Sequence, residues 1–211
     1  IWLAVAGLLG LVMPATQIFN LDSGLFYTTL TLHGAALAFP FTFQLMIGVG
    51  LHRAGGCVGK PITGWLPAVT FCALNLGAAL LTVAVLLGFK VSLIVMFPLP
   101  LVGAKMGIWS MSTVVLGFTG IYLVLATMIL FYPILILRML FTGTKRADLV
   151  LSPRSLNDPG MLGMTLAALT LLIAGLPLVA VGTTLLAALY GAIPMSLAAW
   201  AAEPVVFQYA F

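Results

Sequence analysis

From residue 162 to residue 189 the chain reads LGMTLAALTLLIAGLPLVAVGTTLLAAL, with no Asp, Glu, Lys or Arg. A helix needs about 20 apolar residues to cross a hydrocarbon core of roughly 30 Å, and this run exceeds that length. A transmembrane barrel would instead show segments of about ten residues alternating apolar and polar, which this stretch does not. It therefore reads as a membrane-spanning helix, and the rest of the chain repeats the pattern.

Of 211 residues, 63% are hydrophobic and 6% charged, and the mean hydropathy is +1.27. A soluble domain carries about 25% charged residues, so a water-facing globule is excluded. Turn formers and charges divide the chain into roughly six spans, at about 1–19, 26–51, 65–89, 107–141, 161–190 and 194–211. The expected fold is an all-α polytopic membrane protein forming a single transmembrane domain. Its opening at Ile1 within an apolar stretch, and a helix-like end from Gln208 to Phe211, suggest a segment of a longer polypeptide.

Charge between the spans orients them. Arg53, Lys60, Arg138, Lys145, Arg146 and Arg154 fall on one side, and Lys90 and Lys105 on the other. Cation-rich loops stay in the cytoplasm, so the N-terminus is expected there, with lipid rather than nucleic acid as the partner of this basic chain. Cys57 and Cys72 have no metal or redox spacing and read as structural thiols. Trp2, Trp65 and Trp109 suit interfacial anchoring. Asn157 or Asp158 is placed to cap the fifth span, with Pro159 in its first turn, and Asp22 to cap the second.

Two ionisable residues fall inside spans, where charge is costly and function is the default expectation. His33 lies about seven residues into the second span, roughly 10 Å deep, and Glu203 about nine residues into the sixth. His33 reads either as a neutral imidazole bonded to a backbone carbonyl or as an axial haem ligand. His52, beside Arg53, reads as solvated or lipid-facing.

The stretch Phe26-Tyr27-Thr28-Thr29-Leu30-Thr31-Leu32-His33-Gly34, followed by Phe39-Pro40 and Met46-Ile47-Gly48, resembles the second helix of subunit I in the haem-copper oxidase superfamily. That superfamily includes cytochrome c and quinol oxidases and nitric oxide reductase relatives. Phe97-Pro98-Leu99-Pro100 is similar to the turn after its third helix, and Met106-Gly107-Ile108-Trp109-Ser110 to the start of its fourth. Residues 176–186 are similar to its fifth. The resemblance implies the first six of about twelve helices, with His33 binding a low-spin haem of b or a type. Gly34 beside the ligand would then permit close approach of the haem or a neighbouring helix.

In that family a Gly-His-Pro-x-Val-Tyr motif on the sixth helix supplies a copper ligand. The matching stretch is Ala202-Glu203-Pro204-Val205-Val206-Phe207, where histidine is replaced by Glu203 and tyrosine by Phe207. Copper favours imidazole and a carboxylate suits harder metals, so the resemblance implies a lost or altered copper site. Three readings of Glu203 stand open: a non-haem iron ligand as in the nitric oxide reductase branch, a neutral hydrogen-bonded acid, or a group for proton transfer or ion pairing.

The functional expectation is a haem-binding subunit of a respiratory electron-transfer complex in a bacterial or archaeal cytoplasmic membrane. Its second axial ligand would come from further sequence or another subunit. The alternatives are a non-redox anchor or assembly subunit of the same ancestry and a nitric-oxide-reductase-like subunit. A transporter is less favoured, because the spans show no internal repeat.

Overall fold

The computed structural model describes residues 1–59, 64–89, 110–143, 158–203 and 206. Among these all the regular structure is helical, and no strand occurs. Helix α1 covers Trp2–Ile18, α2 Ser23–Ala36, α3 Thr42–Val58, α4 Trp65–Leu86, α5 Met111–Ala126, α6 Tyr132–Gly143, α7 Pro159–Leu189 and α8 Met195–Ala198. A 3-10 turn, Ala199–Ala202, follows α8. The stretches 97–100 and 106–109, six loop cations (Lys60, Lys90, Lys105, Lys145, Arg146, Arg154), Asn157, Pro204, Val205 and Phe207 lie outside the described residues.

Two pairs of helices are fused end to end. A π-helical turn at Leu37–Phe41 joins α2 to α3, and another at Thr127–Phe131 joins α5 to α6. The first contains Pro40, which cannot donate to the carbonyl four residues back; the wider turn absorbs the mismatch. Thr42 supplies a donor there, its hydroxyl bonding the Leu37 carbonyl at 2.7 Å. The second contains no proline; Pro133 follows it as the second residue of α6.

Among the described residues four helices, Ser23–Val58, Trp65–Leu86, Met111–Leu140 and Pro159–Leu189, are long and apolar enough to cross a membrane. Ser23–Val58 runs past residue 51, where its charges had suggested an exit. Arg53 is exposed and its stem can lie along the helix while the guanidinium reaches water. The helix stops only at Gly59, in the left-handed conformation at φ 63°. Asp22 caps α2 through Leu25 N–H, and Asp158 caps α7 through Gly160 and Met161 N–H, with Pro159 at its first position.

Packing uses small residues, as expected where lipid supplies no hydrophobic drive between helices. A side chain at Gly77 would stand 2.8 Å from the Gly120 carbonyl, and one at Gly120 would stand 2.6 Å from the Leu81 nitrogen, so α4 and α5 touch backbone to backbone. Another core joins α3, α4, α6 and α7 through Leu51, Leu74, Ile136, Leu140 and Ala168. Large apolar side chains point outward, among them Phe71, 61% exposed, and Ile173, 70% exposed. Thr28, Thr31, Thr70 and Thr184 each return their hydroxyl to the carbonyl four residues earlier, which hides their polarity within one helix.

Candidate functional site

His33 lies on α2 against α1, where its half-buried ring bonds through Nδ1 to the Ala6 carbonyl at 2.7 Å. A carbonyl only accepts, so Nδ1 carries a proton and donates, and in a neutral ring the lone pair is then on Nε2. Close approach of the ring depends on Gly10: a Cβ there would stand 3.0 Å from Cε1 and 3.2 Å from Nδ1. Gly10 and Ala6 were not readable as partners of His33, because the contact is 27 residues distant in sequence at the Ala6 carbonyl. Gly34 is half-buried in the last turn of α2, and its carbonyl, with that of His33, accepts from Leu37 N–H.

The tautomer suits a metal ligand. Imidazoles that bind metals commonly donate their other nitrogen to a carbonyl, which fixes the ring and raises its basicity. Among the described residues no buried side-chain nitrogen or oxygen lacks a partner, so Nε2, for which none is found, is open to the surface of the α1/α2 pair. A cavity of about 130 Å³ lies between Trp2, Leu9, Leu32, Ala36, Phe39 and Leu81, and His33 is not among the residues that line it. With Nδ1 donating to Ala6, a neutral ring would offer Nε2 to a haem iron.

The second histidine of the chain, His52, is 19 residues further along the fused α2/α3 rod, roughly 28 Å at 1.5 Å per residue. It cannot share an iron with His33. Glu203 is exposed and follows the 3-10 turn with extended backbone, φ −65° and ψ 132°. The residue before a proline avoids the helical region, and Pro204 accounts for this. The expected helix over 194–211 is thus, in its described part, a four-residue α8 and a 3-10 turn interrupted at Glu203, with Val206 helical again. Ala201 packs with Val114, Phe118, Val181 and Leu185 of α5 and α7, whereas His33 belongs to α1 and α2. The two residues occupy different packing neighbourhoods. Among the described residues no cluster of three His, Cys, Asp or Glu could hold a metal.

A polar junction that the sequence did not reveal lies nearby. Asn75 of α4 accepts from the Trp2 indole at 3.1 Å and from the Gln44 amide at 3.0 Å, while its own amide donates to the Phe71 carbonyl at 2.8 Å. It ties α1, α3 and α4 together. Trp2, expected as an interfacial anchor, is thus committed to a partner ten residues into α4; Trp65 is 66% exposed at the start of that helix, as an anchor would be. Cys57 and Cys72 are free and exposed.

Compared with known protein families, characterised proteins and solved structures, the chain matches none.

Proposed function

We propose that the chain is part of an integral membrane redox protein in which His33 Nε2 is one axial ligand of a low-spin haem, within a respiratory complex of a bacterial or archaeal cytoplasmic membrane. The observation that supports this most directly is the Nδ1 bond to the Ala6 carbonyl, which leaves Nε2 as an oriented, accessible lone pair. The resemblance of residues 26–34 to the haem-binding helix of oxidase subunit I points the same way. A bound haem would carry single electrons between a donor and an acceptor. This chain's part is to fix the rotation of the imidazole through Ala6 and Gly10 and to present it from the Ser23–Val58 helix, long enough to sit in lipid.

The second axial ligand and the walls around the macrocycle come from further sequence or another subunit, since His52 is too distant. Glu203 takes no metal role in this reading, because it is exposed and has no companion ligands among the described residues.

The anchor reading is favoured by the Ala6 bond, which satisfies a structural histidine equally well. A reduced-minus-oxidised absorption spectrum of the purified complex separates the two. Haem bands that disappear in His33→Ala support ligation. Bands unchanged by that substitution remove His33 as a ligand, and a wild-type protein without haem leaves the anchor reading.

A further inference from the structure

A second cleft, away from His33, is larger and has a graded lining. It has a volume of about 720 Å³ and opens between α3, α6 and α7. One end carries Arg53, Cys57 and Asp158; the other is walled by Leu45, Val49 and Met164. Leu45 and Cys57 are 12 residues apart on α3, so the gradient extends over roughly 18 Å along the helix. Leu45 and Val49 are more than half exposed, so the apolar wall faces outward from the bundle.

We infer that this cleft binds one phospholipid with a zwitterionic, primary-ammonium headgroup of the phosphatidylethanolamine class. Arg53 matches the phosphate, because a guanidinium fork donates to two of its oxygens. The Asp158 carboxylate matches the ammonium. Its Oδ1 takes both capping bonds from Gly160 and Met161, and the Cys57 thiol also hydrogen-bonds the carboxylate; a carboxylate has about four acceptor sites, so capacity for one more donor remains. A purely anionic headgroup would leave Asp158 facing negative charge. A choline headgroup offers no N–H to either oxygen. The acyl chains then continue along Leu45, Val49 and Met164 in the direction of the membrane interior.

The inference rests on the membrane reading and is independent of haem. Native mass spectrometry of the detergent-purified protein, with phosphatidylethanolamine, phosphatidylglycerol and phosphatidylcholine supplied separately, tests it. One phosphatidylethanolamine should be retained about tenfold more strongly than either other lipid, the value of one charge-assisted bond. Asp158→Asn should remove that preference, whereas Arg53→Gln should weaken retention of all three phospholipids. Asparagine still caps a helix, so loss in Asp158→Asn reports the charge rather than unfolding. Equal retention of the three lipids, preference for phosphatidylglycerol, a preference that survives Asp158→Asn, or retention unchanged in Arg53→Gln overturns the proposal. An alkaline carbonate wash of the membranes separates the two failures: release of the protein overturns the membrane reading itself, whereas retention without headgroup preference overturns only the lipid site.

Discussion

The dependence of His33 on Gly10 can be isolated by comparing two glycines of one helix. A Cβ at Gly10 would stand 3.0 Å from the His33 Cε1, whereas one at Gly7 would meet nothing within 4 Å. Carbon–carbon contact is comfortable from about 3.5 Å, so Gly10→Ala pushes the ring away by about 0.5 Å. If the ring retreats directly from α1, the 2.7 Å bond to Ala6 stretches to roughly 3.2 Å, the outer edge of hydrogen-bond range. That bond is worth about 0.5–1.5 kcal/mol net, or roughly two- to tenfold in an equilibrium constant. Both substitutions gain the same helix propensity, up to about 1 kcal/mol. Gly7→Ala is therefore expected to raise thermal stability in micelles and leave haem retention unchanged. Gly10→Ala should lose most of that gain and release haem two- to tenfold more readily on dilution. Identical behaviour of the two variants in both assays would refute the assigned role of Gly10.

Gly120→Ala forces a Cβ to 2.6 Å from the Leu81 nitrogen and 2.7 Å from the Gly77 carbonyl, backbone atoms that cannot rotate aside. It should cost about 1–3 kcal/mol in micelle unfolding, while Gly163→Ala, with nothing within 4 Å, should not destabilise; equal stability of the two variants would contradict the α4/α5 crossing. Asn75→Leu leaves the Trp2 indole and Gln44 amide without their acceptor. The expected cost is about 1–3 kcal/mol per stranded donor, read by unfolding and by a shift in tryptophan emission that a Trp2→Phe background abolishes. An emission shift that persists in that background would assign it to another tryptophan.

The long helices were legible because span length is set by lipid thickness, a constraint that uncharged runs such as 162–189 satisfy visibly. Capping was legible for the same local reason: Asp22 and Asp158-Pro159 act within three residues of themselves. Helix ends marked only by charge were not. His52 and Arg53 suggested water, yet a helix continues until its backbone must turn, and that happens at the positive φ of Gly59. The π-helical turns were equally hidden. A proline in a span announces a disturbance, but whether the chain kinks, breaks or widens depends on neighbours such as Thr42, whose hydroxyl serves the Leu37 carbonyl.

His33 and Glu203 show why buried chemistry was only half readable. Depth along a span can be counted from sequence, and for His33 the count places the ring inside the bilayer, which gives the cost of leaving it unpaired. Which nitrogen carries the proton cannot be counted. It follows from the Ala6 carbonyl on another helix, and that contact exists because position 10 has no side chain. For Glu203 the count assumes a continuous helix, whereas the backbone is extended at that residue and helical again at Val206. The motif it was matched to also carries a proline directly after its ligand, so Pro204 does not separate the two. What an exposed carboxylate at position 203 can hold depends on which groups the fold brings to it, and that cannot be counted along a span.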